Sequence, residues 1–233
     1  MFRFDHQHLS EYLRTDPVAR LLDDILRPED KPFTSQRWLR ESGPKRMIFH
    51  YVYGALLEDG GERLRILDVG GGYTALTRTM VERHGYTLLD PMVHDDHDAL
   101  HRIESQLAHR FWIDEDWMNA DTLQSFDLVI ANDLFPNVDQ RLELFLEKFL
   151  PFSRTVLLTV TYYNSPRYYH AKRIDADELL TVLAWDGRRT KDALGRFEER
   201  ISSPDFDFLT EDCPSLFENE RQVCLVSLRG DGV

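Results

Sequence analysis

Three consecutive glycines follow a short apolar run in the first third of the chain. The run at positions 66–69 reads Ile-Leu-Asp-Val, and Gly70, Gly71, Gly72 and Tyr73 come directly after it. An apolar run of this length is typical of a parallel strand that is covered on both faces. Glycines between a strand and a helix let the backbone approach a ligand closely, because no Cβ is in the way. The pattern therefore predicts a ligand-binding turn.

Two acidic residues near this turn favour different ligands. Gly70-x-Gly72-x-x-Ala75 fits a dinucleotide-binding fingerprint, and Asp90 stands 20 residues after Gly70, where an acid that binds a ribose is expected. Asp68 argues against a dinucleotide, because a carboxylate at the strand end would repel a pyrophosphate docked on the following helix. Asp68 would instead suit a ligand that carries an ammonium group. An NAD(P)-dependent oxidoreductase stays open as an alternative.

The stretch 66–74, Ile-Leu-Asp-Val-Gly-Gly-Gly-Tyr-Thr, resembles the first motif of the class I S-adenosylmethionine-dependent methyltransferases. The order of the predicted elements extends this resemblance over roughly residues 45–230. It implies that S-adenosylmethionine is the cofactor, that Asp68 and the glycines hold its methionine part, and that Asp90 binds both ribose hydroxyls. The cofactor-binding residues that the resemblance implies are Asp68, Gly70, Gly71, Gly72, Tyr73, Asp90, Pro91, Met92, Asp114, Asp116, Trp117 and Asn132.

The acidic triplet before Trp117 has two interpretations. By resemblance, Asp114 or Asp116 accepts a hydrogen bond from the adenine amino group, Trp117 stacks nearby, and Pro91 and Met92 line the adenine pocket. Equally, carboxylates are favoured at any solvated helix N-terminus, whatever the function of the protein.

The stretch 132–137, Asn-Asp-Leu-Phe-Pro-Asn, stands where the resembled family has its fourth motif. It lacks the two adjacent prolines of the DNA amino-methyltransferases, and Asn137 replaces the histidine that many small-molecule members carry there. The usual base is therefore missing at this position. A binding protein that keeps the methyltransferase fold without activity is a further alternative, because a fold alone does not establish a function.

Residues that could replace the missing base follow the fifth predicted strand. The segment 161–173 contains four tyrosines, one histidine and three basic residues. Histidine titrates close to neutral pH, which favours His170 as the general base. Tyr163 and Asp133 are the other predicted catalytic residues.

The same segment predicts the class of substrate. Aromatic faces with hydroxyl and amide groups suit a polar ring such as a sugar, and Arg167, Lys172 or Arg173 could pair with an anionic group. Alternatively, the segment is a surface loop whose tyrosines pack on the domain. The sequence thus favours methyl transfer to an oxygen or nitrogen of a small polar molecule, such as a sugar or a sugar-containing metabolite.

Strands that alternate with helices would position these residues. The alternation predicts an α/β fold with a doubly wound, mostly parallel sheet, and the resemblance implies a Rossmann-like sheet of seven strands. Two tail strands, 206–209 and 222–228, should pair antiparallel as a C-terminal hairpin, and a helix led by Asp175 should be ended by Trp185-Asp186-Gly187. The predicted parallel strands are 66–69, 86–90, 109–113, 126–132 and 155–160.

The N-terminal part of the chain has helical patterns. Asp16-Pro17 is a helix start, with an N-cap residue before a proline at the first helical position, and another helix should begin near Pro44. By resemblance, these N-terminal helices, within residues 1–62, form a lid over the cofactor site. The aromatic residues of this part, which either face the ligand or pack in the core, are Phe33, Trp38 and Tyr53.

Length and composition indicate an ordinary globular protein. The chain has 233 residues, of which 42% are hydrophobic and 30% charged, and this is enough for one sizeable core. We expect a single methyltransferase-like domain over residues 1–233, in which 162–203 form a substrate-side insertion.

Charge and composition also limit the classes of partner that we expect. The net charge of −13 disfavours nucleic acid, and no apolar run is long enough to span a membrane. Two cysteines make no disulfide framework, so we expect a cytoplasmic protein. We also expect a small-molecule substrate, and neither nucleic acid nor a membrane as a partner. His97 and His101 are spaced as metal ligands on a helix, but a solvated helix start is favoured and no metal site is predicted.

Overall fold

The structure, a computed structural model, describes residues 1–121, 124–172 and 179–232. These residues form two compact units. The first, here called the N-terminal unit, is Leu9–Asp121. The second, here called the C-terminal unit, combines Met1–His8 with Thr122–Val233.

Helices and strands alternate through most of the chain. The helices are α1 (His6–Leu13), α2 (Pro17–Ile25), α3 (Thr34–Glu41), α4 (Gly43–Tyr53), α5 (Ala75–Arg83), α6 (His97–Leu107), α7 (Leu142–Phe149) and α8 (Gly187–Gly195). The strands are β1 (Phe2–Arg3), β2 (Arg65–Val69), β3 (Gly85–Leu89), β4 (Trp112–Ile113), β5 (Phe126–Phe135), β6 (Ser153–Tyr162), β7 (Arg167–Lys172), β8 (Leu179–Ala184) and β9 (Gln222–Arg229).

The predicted fold class is confirmed. Among the described residues, seven strands make a mostly parallel sheet, and helices precede its first parallel strand in the chain. The other two described strands, β7 and β8, form a separate antiparallel hairpin. The N-terminal helix start is also as predicted, because Asp16 accepts a hydrogen bond from the Ala19 N–H and Pro17 opens α2.

In the N-terminal unit, β2, β3 and β4 are parallel neighbours in that order. The apolar residues of β2 are at most 3% exposed, as expected for a strand covered on both faces. The backbone N–H of Gly70 continues the β2–β3 pairing by donating to the Leu89 carbonyl at 3.0 Å. The glycine turn therefore begins at the carboxyl end of two adjacent strands.

In the C-terminal unit, β5 and β6 are parallel, and β9 runs antiparallel to β6 on one side and to β1 on the other. The expected tail partner of β9, residues 206–209, is not a strand. A 3₁₀ turn at Asp207–Thr210 stands there instead. The edge of β9 that this segment would have used is occupied by β1, where Phe2 lies opposite Leu225.

The helix predicted from Asp175 to Trp185-Asp186-Gly187 is wrong over the residues that the structure describes. Residues 179–184 form β8, which pairs with β7 so that His170 lies opposite Thr181 and Tyr169 opposite Val182. The leucine spacing matched a helical stripe, but the β-branched pair Thr181-Val182 suits a strand, and β7 supplies the hydrogen-bonding edge that such a strand needs. The start of that predicted helix, positions 175–178, lies outside the described residues.

None of the described helices is long and apolar enough to cross a membrane. The longest have 11 residues, whereas a membrane span needs about 20 apolar residues.

Candidate functional site

The glycine turn has a backbone that only glycine adopts readily. Gly70 and Gly72 have φ values of 68° and 65°, in the left-handed region. A Cβ at Gly72 would lie 2.0 Å from the Ser35 Oγ, and a Cβ at Gly71 would lie 2.5 Å from both carboxylate oxygens of Asp68. Gly71 and Gly72 are thus required by the close approach of Asp68 and Ser35, and Gly70 by its left-handed backbone.

Asp68 lies directly under this turn. Its side chain is buried, Oδ1 accepts from the Tyr53 hydroxyl at 3.1 Å, and Oδ2 accepts from the Tyr86 hydroxyl at 2.6 Å. Burial raises the pKa of Asp68 to about 7, the two phenol hydrogen bonds lower it, and the negative charge of Asp90 raises it. Asp68 is therefore a carboxyl group whose charge changes close to neutral pH.

Asp90 follows β3 and holds the turn from the other side. Its Oδ2 accepts from the Gly72 N–H at 3.0 Å, and its Oδ1 accepts from the Met92 N–H at 2.8 Å. Burial raises the pKa of Asp90, and these two backbone hydrogen bonds oppose that shift. Each carboxylate oxygen keeps a second lone pair, so the group can still accept from hydroxyl groups of a ligand.

The first turn of α3 packs on the glycine turn, and none of its residues was predicted to belong to the site. Ser35 lies so close to Gly72 that a Cβ placed on the glycine would be 2.0 Å from the Ser35 Oγ. The Gln36 Oε1 accepts from the Ala75 N–H at 2.7 Å. The Thr34 N–H donates to the Asp95 Oδ1 at 2.8 Å. A Thr-Ser-Gln start looks like any solvated helix N-terminus, so the sequence carries no signal for these contacts.

Tyr73 is buried, and its side chain belongs to a different network. Its hydroxyl donates to the Asp30 Oδ1 at 2.9 Å, and Arg78 forms an ion pair with the same carboxylate at 2.7 Å. The Tyr73 ring packs against Phe33 at a centroid distance of 4.6 Å. The side chain of Tyr73 thus connects the segment between α2 and α3 to the start of α5.

The aromatic residues of the N-terminal helices differ in position. Phe33 and Tyr53 are buried, as in the core interpretation, and Tyr53 also contacts Asp68. Trp38 is 46% exposed and has the Lys45 ammonium 3.6 Å from its ring centroid.

The residues predicted to surround the adenine ring lie after β3 and β4. Trp117 and Met92 are buried, and Pro91 is half-buried. The Asp116 Oδ1 accepts from the Met118 N–H at 2.8 Å, whereas the Asp114 side chain is half exposed and stands 3.5 Å from His97. Asn132 belongs to the C-terminal unit, where its Oδ1 accepts from the Thr159 hydroxyl at 2.9 Å.

The three predicted catalytic residues have different partners within the C-terminal unit. The Tyr163 hydroxyl lies 3.0 Å from that of Tyr169, which donates to the Asn137 Oδ1 at 3.2 Å. His170 is exposed, and its Nδ1 lies 3.0 Å from the Thr181 Oγ1 across the β7–β8 pair.

Asp133, the third of them, stands at a left-handed φ of 59° near the end of β5. Its Oδ1 accepts from the Arg221 Nη1 at 2.9 Å, and its N–H donates to the Thr159 Oγ1 at 2.7 Å. Such a backbone is uncommon for a residue other than glycine and is often found at functional sites. Arg221 is buried and also covers the Phe217 ring, so it holds Asp133 in a fixed orientation.

A cleft of about 500 Å³ opens in the C-terminal unit beyond the end of β6. Tyr163 and Arg167 line it on one side, with the Arg167 guanidinium 4.6 Å from the Tyr163 ring centroid. Arg167 pairs at 2.7 Å with Glu220, which also lines the cleft. The remaining lining residues are polar or small and comprise Asn164, Ser165, Asp212, Cys213, Pro214, Ser215 and Gln222.

Within the described ranges, no group of three or more histidine, cysteine or acidic side chains is arranged to hold a metal ion. The His97 Nε2 lies 3.2 Å from the Met92 carbonyl oxygen, and the His101 Nδ1 lies 3.3 Å from the Glu104 carboxylate. Both imidazole rings pack against Trp112.

Comparison with known proteins gives matches in structure only. No protein-family model matches the chain, and no curated protein matches its sequence. The N-methyltransferase NodS from Bradyrhizobium japonicum WM9, solved with S-adenosyl-L-homocysteine, is 12% identical with a TM-score of 0.50, over 91% of this chain and 97% of NodS. DhpI, solved as a complex with S-adenosylhomocysteine, is also 12% identical with a TM-score of 0.50, over 97% of this chain and 99% of DhpI. The chain thus has the fold of the class I S-adenosylmethionine-dependent methyltransferases.

Proposed function

We propose that this protein is an S-adenosylmethionine-dependent methyltransferase that acts on a small polar molecule, such as a sugar or a sugar-containing metabolite. The observation that carries the proposal is the arrangement of Asp68 and Asp90 around the glycine turn. The Asp68 carboxylate lies against Gly71, and the Asp90 carboxylate accepts a hydrogen bond from the Gly72 N–H. Carboxyl groups on both sides of a turn without side chains suit a compact ligand that carries positive charge.

The residues present fit this cofactor. Asp90 has lone pairs left for the two ribose hydroxyls, and the ionised form of Asp68 would be stabilised by an ammonium group placed next to it. A pyrophosphate would meet both acids, which argues against an NAD(P)-dependent oxidoreductase. When bound, S-adenosylmethionine supplies an electrophilic sulfonium methyl group, so the protein mainly has to align a nucleophile with it.

The acceptor side of the proposal rests on the C-terminal unit. The cleft beside Tyr163 combines an aromatic ring, a guanidinium and amide groups, which suits a polar ring with several hydroxyl groups. Burial raises the pKa of Tyr163, so its hydroxyl stays protonated at neutral pH and does not act as the base. His170 and Asp133 are then the groups that can accept a proton from an oxygen or nitrogen nucleophile.

Titration calorimetry with three ligands tests the proposal. We expect the protein to bind S-adenosylhomocysteine and S-adenosylmethionine, and not to bind NADH. Conversion of S-adenosylmethionine to S-adenosylhomocysteine should then require an added methyl acceptor. A panel of sugars and amino sugars tests which acceptor supports it. Binding of NADH alone would favour the oxidoreductase, and binding without turnover on any acceptor would favour a binding protein with this fold.

A further inference from the structure

Gln36, in the first turn of α3, has one end of its amide group unpaired. The side chain is fully buried, and its Oε1 accepts from the Ala75 N–H at 2.7 Å. Within the part of the chain that the structure describes, its Nε2 atom has no hydrogen-bond partner. Because the oxygen is committed to the Ala75 N–H, the amide cannot turn over without losing that bond. The free end is therefore the NH₂ group.

The unpaired donor lies beside the glycine turn. Ala75 is the first residue of α5, and the two ends of one amide group are close together, so Nε2 also stands near this helix start. Ser35, the neighbour of Gln36, contacts Gly72 at the same turn. A buried N–H without an acceptor is unfavourable and rare, which indicates that a ligand supplies the acceptor.

The surroundings favour an anionic acceptor. The N-terminus of α5 carries the positive end of the helix dipole, which attracts negative charge. Asp68 and Asp90 account for the positive and hydroxyl groups of the proposed cofactor. Asp68 accepts from two tyrosine hydroxyls and Asp90 accepts from two backbone N–H groups, so both serve as acceptors here and a separate donor is needed for the cofactor's carboxylate. An uncharged amide donor attracts a carboxylate without competing with the cofactor's ammonium group for the two acids.

We infer that Gln36 binds the α-carboxylate of S-adenosylmethionine and so selects cofactors that carry this group. The inference rests on the proposed function, since it assigns a residue to the same cofactor site. It also gives α3 a direct role in binding: the helix carries a cofactor contact as well as covering the turn.

The test compares S-adenosylmethionine with decarboxylated S-adenosylmethionine, which lacks only the carboxylate. Gln36→Glu keeps an oxygen for the Ala75 N–H and replaces the NH₂ donor by a second oxygen. We expect this variant to bind S-adenosylmethionine at least about tenfold more weakly, as for the loss of a hydrogen bond to a charged group. Its affinity for the decarboxylated compound should not fall. Titration calorimetry measures both affinities.

Two further variants keep the result interpretable. Gln106→Glu makes the same change at an exposed position of α6, and we expect it to bind both compounds like the wild type. If Gln36→Glu does not fold, Gln36→Met removes the donor without a buried charge and should show the same selective loss.

The outcomes separate this inference from the proposed function. Equal weakening for both compounds would mean that Gln36 only supports the packing of α3 on α5, and unchanged affinity for S-adenosylmethionine would remove Gln36 from the site. Either result overturns the inference while leaving the proposed cofactor in place. A wild-type protein that binds neither compound would overturn both.

Discussion

Asp68 should make the stability of this protein fall as the pH rises towards neutrality. Its carboxyl group is buried under the glycine turn with a pKa of about 7, against 3.8 for an ordinary aspartate. Between these pH values the folded chain keeps the proton that the unfolded chain has released. The unfolded state then binds fewer protons, so the free energy of unfolding decreases as the pH rises through this window.

The size of the effect follows from the two pKa values. Raising the pKa from 3.8 to about 7 corresponds to at most about 4 kcal/mol of unfolding free energy. This contribution is fully present below about pH 4 and is lost by about pH 7 to 8. Asp68→Asn removes the titrating group and keeps a side chain of the same shape between Tyr53 and Tyr86.

Urea unfolding of the wild type and of Asp68→Asn from pH 4 to pH 8 measures the effect. The difference in unfolding free energy between the two proteins cancels the carboxylates that they share. We expect the wild type to lose up to about 4 kcal/mol relative to the variant across this range. A difference that stays flat, or that rises with pH, would refute a protonated Asp68 in the folded protein. Tyr53→Phe removes a hydrogen bond that lowers the pKa of Asp68, so it should extend the decline to higher pH.

Three other predictions concern ligand binding and turnover. Gly72→Val should abolish S-adenosylhomocysteine binding, because the new Cβ would collide with Ser35 and the left-handed φ of this position strains a branched residue. If a variant with the circular dichroism of the wild type still bound the ligand, the ligand would not contact this turn. Asp90→Ala should weaken the same ligand by about 1.5–3 kcal/mol in calorimetry, as for a lost hydrogen bond to a charged group, and unchanged affinity would exclude Asp90 from the site. If His170 is the base, His170→Ala should lower the turnover number by about 10²–10⁴-fold with nearly unchanged cofactor affinity. A decrease of only a few-fold would point to positioning alone or to Asp133.

The prediction of the fold succeeded where neighbouring residues decide the structure. Asp16 before Pro17 predicts the start of α2, since an N-cap side chain and a fixed proline φ act within one turn. The apolar run before Gly70 predicts β2 for the same local reason. Failures came at residues 179–184 and 206–209, where a short apolar pattern fits more than one structure. There strand pairing decided the outcome: residues 179–184 pair with β7, and β1, from the other end of the chain, occupies the edge of β9.

The candidate site divides in the same way. The sequence alone identified the three glycines, Asp68 and Asp90, because a turn without side chains and an acid at a strand end are local features. Only the tertiary structure decided that Asp68 is buried between two phenols, since Tyr53 and Tyr86 come from α4 and β3. Only the tertiary structure brought Gln36 to the start of α5, 39 positions away along the chain. Burial and pairing depend on which distant side chains pack together, and the spacing of residues along the chain does not encode that.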